Sequence, residues 1–205
     1  MAAQMEAGHC CPITMTHAAV ATRRHEPALA RSLVPRLLAR SYDPRFVPWQ
    51  KKQAITVGMG MTERQGGTDV RANTTNAVPL KSPGPSKAYA ITGHKWFLSA
   101  PMSDAILVLA QTKAGLSCFF MPRFTADGSV NRLRLERLKD KLGNRSNASA
   151  EVSFDRALGF LVGEEGRGVA TIIEMMTLTR LDCAVSSAAL MRQALAARHP
   201  SCAAP

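Results

Sequence analysis

A glycine-rich loop with hydroxyl and carboxylate side chains is the stretch of the sequence best suited to hold a ligand. Residues 58–70 read Gly-Met-Gly-Met-Thr-Glu-Arg-Gln-Gly-Gly-Thr-Asp-Val, after a β-branched run at 54–57 that predicts a strand. Glycine lets a ligand approach the backbone closely, and threonine hydroxyls can donate or accept hydrogen bonds. Such a loop can hold a flat polar ligand through main-chain groups. Taken alone, the pattern is also typical of a tight turn between two strands.

A second stretch, residues 88–101, makes the pattern more specific. Thr62, Glu63, Gly67, Thr68 and Asp69 fit a Thr-Glu-x-x-x-Gly-Ser/Thr-Asp loop, and Gly93, Lys95, Phe97 and Ser99 fit Gly-x-Lys-x-aromatic-x-Ser/Thr. Residues 143–145 and 150–155 together fit a third element of the same series, and residues 163–168 fit a fourth. Together they resemble the flavin-binding middle domain of the acyl-CoA dehydrogenases. The amino-acid sequence at residues 59–63, 94–97 and 137–147 is similar to that of the branch of the family linked to DNA alkylation damage.

The resemblance implies that FAD is the cofactor. Thr62 and Thr68 would contact the pyrimidine edge of the flavin, Ser99 would hydrogen-bond near N5, and Phe97 would pack against the ring. Strand alternation predicts that one of Trp96 and Phe97 faces the protein core instead, which leaves the aromatic partner open. The complete set of cofactor-binding residues expected from the resemblance is Met61, Thr62, Gly67, Thr68, Phe97, Leu98 and Ser99.

The resemblance also implies an acyl-CoA substrate, oxidised at a CH–CH group, with a glutamate as general base. That glutamate belongs to the family's carboxy-terminal helical bundle, and no residue of this chain corresponds to it. We therefore expect a truncated protein without dehydrogenase activity of its own. Arg180 matches an arginine that relatives place near the substrate, although a helix-surface charge explains it equally well. Full-length relatives imply a homo-oligomer.

Composition leaves two further functions open. The formal net charge is +11, from 26 Lys and Arg against 15 Asp and Glu, which favours anionic partners such as duplex DNA. A solvated basic face is the simpler interpretation, because no aromatic residues alternate with the basic ones as they do in a single-strand groove. The alternatives to an enzyme are therefore a DNA-associated flavoprotein of the alkylation-damage response and a non-functional remnant.

The five cysteines are odd in number and lack the spacing of a zinc site, so we expect no metal. No apolar run is long enough to span a bilayer, and no signal peptide is recognisable, so we expect no membrane partner and a reducing cytoplasm. In that setting Cys118 and Cys183 are expected to be buried as small apolar residues.

The elements that must position the loops indicate an α+β fold, with an antiparallel β-barrel or sandwich flanked by partial helical segments. Six strands are predicted, at 55–61, 88–96, 105–111, 116–123, 132–139 and 150–154. A short helix is expected at 28–39, and a long amphipathic helix from Val169 to about Ala197. We expect three parts: the end of a helical domain at 1–52, the β domain at 53–162, and the start of a second helical domain at 163–205. The tail from Arg198 is unlike the family.

Overall fold

The computed structural model describes residues 2–198, in which helices cover one face of a seven-stranded sheet. The strands are β1 (Val57–Gly60), β2 (Asn76–Pro79), β3 (Ala88–Ser99), β4 (Ala105–Thr112), β5 (Gly115–Pro122), β6 (Leu133–Leu138) and β7 (Ser149–Val162). The helices are α1 (Ala2–Met5), α2 (Cys10–Ala18), α3 (Thr22–His25), α4 (Pro27–Leu37) and α5 (Gly168–Arg198).

The strand pairings return to their start. β3 pairs with β2, β2 with β4, β4 with β5, β5 with β7, and β7 again with β3. The expected α+β fold is thus confirmed. The sheet is mixed rather than wholly antiparallel, because β1 and β2 each run parallel to β4.

All six predicted strands are present, but two features escaped the sequence pattern. The four residues of β2 end in a proline and include an asparagine, so they carry almost no strand signal. The last strand, β7, continues eight residues beyond its predicted end. The interruption is polar: Asp155 is exposed, and Arg156 adopts a left-handed backbone with φ 54°, where the pairing with β3 shifts register.

Two apolar cores lie on the two faces of the sheet. In β4, Leu107 and Leu109 face a core shared with α2, α4 and α5, whereas Ile106 and Val108 face a core built from strands alone. Burial on both faces explains why β4 reads as a continuous apolar run rather than an alternating one. The first core therefore joins the helices to the β domain.

A buried ion pair fixes the entry to β1. Lys52 Nζ lies 2.6 Å from Asp104 Oδ1, and the other carboxylate oxygen accepts the Thr56 N–H at 2.9 Å. Both charged side chains are almost fully buried. Because Asp104 immediately precedes β4, this pair aligns the starts of the two parallel strands and so places the loop that follows β1.

The helix α5 is confirmed over 31 residues, but only its first part contains buried residues. Gly168, Thr171, Ile172 and Met175 are buried; in the described part of the helix no later residue is. Gln4 Nε2 donates to the Ala189 carbonyl at 2.7 Å, so α1 lies against the helix without burying it.

The cysteine expectation is correct for one residue and wrong for the other. Cys118 on β5 is buried, whereas Cys183 is exposed because it lies in the unpacked part of α5. None of the described helices has the length and apolarity needed to cross a membrane. Residues 199–205, which include most of the atypical tail, lie outside the described part of the chain.

Candidate functional site

The two loops singled out from the sequence lie on neighbouring strands. Met59 on β1 pairs with Ser99 on β3, and Gly60 pairs with Leu98. Beyond the end of β1 the pairing continues, since the Trp96 N–H donates to the Thr62 carbonyl at 2.9 Å. Thr62 and Ser99 therefore stand a few residues apart along one antiparallel ladder, at the same edge of the β domain.

Close backbone contact at Gly58 fixes the position of Ser99. A Cβ atom at Gly58 would lie 2.5 Å from the Ser99 carbonyl oxygen and 2.8 Å from that of Ala100, distances that no side chain tolerates. Ala100 itself is fully buried with a left-handed φ of 54°, an uncommon conformation for a non-glycine residue. The chain thus turns sharply directly after Ser99, which ends β3 at the site.

A second buried ion pair holds the loop after Met61 against β3. Lys95 Nζ lies 2.7 Å from Glu63 Oε1, and both side chains are fully buried. The carboxylate also accepts the Thr74 N–H at 2.7 Å and the Thr75 N–H at 3.2 Å. The loop from Thr62 to Thr75 is therefore closed at its base around a single carboxylate, which leaves its outer part free to face a ligand.

Burial alone raises the pKa of Glu63, but the hydrogen bonds from Lys95 and Thr75 and the charge of Lys95 outweigh burial. The pKa of the carboxyl is lowered to about 2. The carboxyl is therefore ionised at neutral pH. Burial lowers the pKa of Lys95, and the hydrogen bond to Glu63 and its charge oppose that shift.

A β-bulge turns both neighbouring aromatic residues outward. The pairing of β3 with β7 shifts register between Lys95 and Leu98, and these two side chains are both fully buried. Trp96 is half-buried and Phe97 is 39% exposed. The expectation that one of the two aromatics faces the core is wrong, because the bulge inserts residues between the two inward positions. The side chain of Leu98 belongs to the strand-only core, so it points into the protein and not to the surface on which Phe97 is exposed.

A lysine lies between the two aromatic rings. Lys139 Nζ is 3.3 Å from the centroid of the Trp96 ring and 4.6 Å from that of Phe97. Glu151 accepts a hydrogen bond from the same ammonium at 2.7 Å. This cation–π arrangement, anchored by a carboxylate on β7, fixes the orientation of both rings.

The two loops carry hydroxyl groups that are available to a ligand. Over residues 2–198, the hydroxyls of Thr62, Thr68 and Ser99 have no hydrogen-bond partner, while Met61 and Ser99 are half-buried and Thr68 is exposed. Gly67 lies so close to Thr62 that a Cβ there would be 2.9 Å from the threonine hydroxyl. Unpaired hydroxyls beside an exposed aromatic ring fit the edge and the face of a flat heteroaromatic ring system.

Arg180 lies on a different element, the helix α5. It is exposed on α5, five residues after the last buried position of that helix. Within the described chain its side chain forms no ion pair or hydrogen bond that would fix its direction. The structure thus brings the predicted loop residues together and leaves Arg180 apart from any defined contact.

Sequence reasoning treated Glu63 and Lys95 as motif letters and missed their role as a buried pair that closes the loop. A charged residue at the interior position of an apolar strand was the available signal, since burial of such a charge demands a partner. The Lys139–Glu151 support was missed as well, because it depends on pairing between β6 and β7 that no local pattern encodes.

A β domain of this topology, covered by helices on one face, is the class of fold found in acyl-CoA dehydrogenases. The family model described as the middle domain of acyl-CoA dehydrogenase matches residues 58–157. The model described as the N-terminal domain of the adaptive response protein AidB matches residues 1–44. The two models together cover most of the chain, which therefore belongs to the acyl-CoA dehydrogenase family.

Individual relatives agree with this membership. The putative acyl-CoA dehydrogenase AidB of Escherichia coli is 54% identical over 193 residues, which cover 94% of this chain and 35% of that protein. Acyl-CoA dehydrogenase family member 11 of Caenorhabditis elegans is 36% identical over 201 residues, covering 89% and 30% of the two chains. The structure of C. elegans ACDH-11 in complex with C11-CoA superposes with a TM-score of 0.71 at 36% identity, over 87% of this chain and 30% of that one. The chain thus spans about a third of the length of these relatives.

Proposed function

We propose that the β domain forms one wall of an FAD site in an oxidoreductase of the acyl-CoA dehydrogenase type, acting on a CH–CH group of an acyl-CoA thioester. One observation carries the proposal: Thr62, in the loop directly after β1, is hydrogen-bonded to Trp96 of β3, and Ser99 ends the same strand with the exposed ring of Phe97 between the two positions. Relatives of this family are FAD-dependent, and the ACDH-11 structure holds C11-CoA. Both facts support the same cofactor and substrate class here.

The residues of this chain would bind and orient the cofactor. When bound, FAD supplies the hydride acceptor. In our proposal Thr62 and Thr68 hydrogen-bond its polar edge, and Ser99 donates from the β3 end. Phe97, held in place by Lys139, covers part of the ring face. Met61 and Gly67 shape the backbone between these groups, and Leu98 contributes through its main chain only.

Proton abstraction requires a carboxylate that we do not assign to any residue of this chain. Glu164 and Glu165 precede α5, and Glu165 already accepts a hydrogen bond from the Tyr89 hydroxyl at 2.8 Å. We therefore propose cofactor binding without dehydrogenase activity for residues 1–205 alone. Arg180 is proposed as a substrate contact. Assembly into a homo-oligomer, a cytoplasmic setting and the division at 53 and 163 belong to the same proposal.

The test is the visible absorbance of the purified 205-residue chain after incubation with FAD and gel filtration. We expect the absorbance bands of bound flavin in the parent protein. Ser99→Ala and Thr62→Val should each raise the Kd for FAD about tenfold and so retain less flavin, because each variant loses one hydrogen bond to the ligand. Ser82→Ala, an exposed serine in the loop before β3, is the matched control. A parent protein that elutes colourless and folded would refute the proposal.

A DNA-associated role is the second candidate, supported by the net charge of +11 and by the exposed Arg64 and Arg137 beside Trp96. Binding to duplex DNA should then weaken steeply between 50 and 200 mM salt, because counterion release drives it. An affinity that is flat with salt would exclude this candidate. If the chain binds neither FAD nor DNA, the hypothesis of a non-functional remnant is the one that is left.

A further inference from the structure

The strand β6 pairs with the rest of the sheet on one side only. Over residues 2–198, β7 is its single partner, and β6 stands at the end of the strand order. Five of its six residues are exposed. None of the proposed flavin contacts lies on β6, so its free side is a feature of the fold that the proposed function leaves unexplained.

The backbone of β6 turns hydrogen-bonding groups toward that free side. At its two ends the Arg132 carbonyl accepts a hydrogen bond from β7 at 3.2 Å, and the Lys139 N–H donates one to β7 at 2.8 Å. Only alternate residues of an antiparallel strand bond to the same neighbour. Counting in steps of two from each end, across the register shift between Leu135 and Arg137, directs the N–H and C=O groups of Leu135 and Leu138 away from β7. The strand therefore offers main-chain donors and acceptors to an added strand.

An apolar pocket of about 220 Å³ lies beside this edge. Its apolar lining includes Ile106, Met121, Val130, Leu133 and Leu135. Ile106 and Met121 belong to the strand-only core, and Leu133 packs against that core. Val130 and Leu135 are 56% and 50% exposed, so the pocket is the place where this core opens to solvent next to β6. An apolar side chain on an added strand would extend the core across the edge.

The charge along the edge favours one kind of strand. Residues 132–145 contain six Lys and Arg residues against two Asp and Glu residues. Arg132 is exposed, and the side chain of Arg134 is 79% exposed in a surface pair with Glu136. Such a surface pair contributes little to stability and can exchange partners. An acidic segment therefore finds complementary charge here.

The same charges argue against a second copy of this chain as the occupant. Pairing of two β6 strands would bring the two excesses of positive charge together, and like charges on facing strands are destabilising. Charged residues and bulges on edge strands are also a common protection against self-association. A segment of opposite charge is not excluded by either device.

We propose that β6 is a docking edge for an extended acidic segment of another protein, with apolar residues at alternate positions of that segment. Its main chain pairs with Leu135 and Leu138, its carboxylates meet Arg132 and Arg134, and one of its apolar side chains enters the pocket lined by Val130. This is recognition by strand addition, in which main-chain bonds supply affinity and alternate side chains supply specificity. The assignment goes beyond the proposed flavin site and does not depend on it.

The test is the binding of a fluorescein-labelled synthetic peptide, Glu-Val-Asp-Val-Glu-Val-Asp-Val, to the 205-residue chain without FAD, measured by fluorescence anisotropy. We expect saturable binding, about tenfold or more tighter than that of the same peptide with lysine at each acidic position. Arg132→Glu and Arg134→Glu should each raise the Kd about tenfold, because an attraction becomes a repulsion. Arg31→Glu, at an exposed arginine on α4, makes the same change of net charge and should leave the Kd within about twofold.

Amide hydrogen exchange distinguishes strand pairing from attraction between charges alone. We expect the peptide to slow exchange at the Leu135 and Leu138 amides, since each becomes hydrogen-bonded. A peptide with proline in place of its two central residues should lose binding, because proline cannot donate to a strand ladder. Binding that survives the proline substitutions, or exchange that is unchanged at both amides, would overturn the proposal.

Three further outcomes would also overturn it. They are no binding of the acidic peptide at millimolar concentration, equal Kd values for the acidic and lysine peptides, and equal Kd values for the parent, Arg132→Glu and Arg134→Glu. Self-association of the parent with protection of the same amides would give the edge to a second copy and refute the acidic partner. Thermal melting of each variant shows that it is folded. A chain that is colourless after incubation with FAD but binds the peptide refutes only the flavin site.

Discussion

The loop that follows β1 and the second half of α5 differ in how the surrounding structure uses polar and apolar side chains. In the loop, the buried carboxylate of Glu63 accepts hydrogen bonds from Lys95, Thr74 and Thr75, so both buried charges have a partner. In the helix after Met175, large apolar residues lie exposed by about half or more. These are Leu181, Val185, Leu190, Met191 and Leu195. The loop is held by buried contacts with the rest of the domain, whereas the later part of the helix makes only surface contacts, such as the hydrogen bond from Gln4 to the Ala189 carbonyl.

The two regions differ in how much their side chains contribute to the stability of the fold. Removing one partner of a buried ion pair leaves an uncompensated charge in the interior, whereas removing an exposed apolar side chain leaves the interior unchanged. We therefore expect the stability of this chain to depend strongly on the loop and weakly on the distal helix. The two regions should therefore differ in how much a substitution lowers the free energy of unfolding.

The largest effect is expected at the buried pair. Glu63→Gln and Lys95→Met should each lower the free energy of unfolding by about 3–5 kcal/mol, because each leaves its partner buried and unpaired. Asp140→Asn, in the exposed pair with Arg145, should change it by less than about 1 kcal/mol. Urea denaturation followed by circular dichroism measures both. Equal losses at Glu63 and Asp140 would contradict the comparison.

The next effect tests the helix against itself. Ile172→Ala removes a side chain that is 1% exposed in the helix–sheet core and should cost about 2–4 kcal/mol. Leu190→Ala, on the same helix but 47% exposed, should stay within about 0.5 kcal/mol. Denaturant midpoints of the two variants, compared with the parent protein, measure the two losses of stability. A Leu190 variant as unstable as the Ile172 variant would show that the distal helix is packed in solution.

Acid sensitivity is the third expectation. The pKa of Glu63 is lowered to about 2 in the folded protein from an ordinary value of 4.5. The unfolded chain therefore takes up the proton first, so this stabilisation is complete above pH 4.5 and is lost as pH falls toward 2. The stability difference between the parent and Glu63→Gln should narrow over that interval. Urea denaturation at pH 7, 4.5 and 3 measures it, and a constant difference would exclude Glu63 as its source.

Much of the fold was accessible from the sequence because its signals are local. The alternating or continuous apolar runs of β3, β4 and β5 predicted those strands, and the 3.6-residue period from Val169 predicted α5. The four-residue β2 was not accessible, because it forms only through pairing with β3 and β4. The continuation of β7 past Arg156 likewise depends on the neighbouring strand.

The residues of the candidate site could be predicted from the sequence, but their arrangement in space could not. The motif positions Thr62 and Ser99 were identified, and their adjacency follows from the pairing of β1 with β3. The outward turn of both Trp96 and Phe97 was not predictable, because a bulge has no sequence signal when neither residue is glycine. The burial of Cys183 was wrongly expected, since helical period alone cannot tell whether another element covers a face.

The smallest effect on stability is expected at the cysteines, which mark the two kinds of environment directly. Cys118 on β5 is 1% exposed, and burial raises the pKa of its thiol to about 12, so it is protonated and shielded at pH 8. Cys183 is exposed on the distal helix. A thiol reagent should label Cys183 in the folded protein and reach Cys118 only through unfolding, as peptide mass spectrometry would show. Cys183→Ser should change the free energy of unfolding by less than about 0.5 kcal/mol. Protection of Cys183 to the same degree as Cys118 would mean that the distal half of α5 is covered in solution, and the contrast between the two regions would then fail at its weaker side.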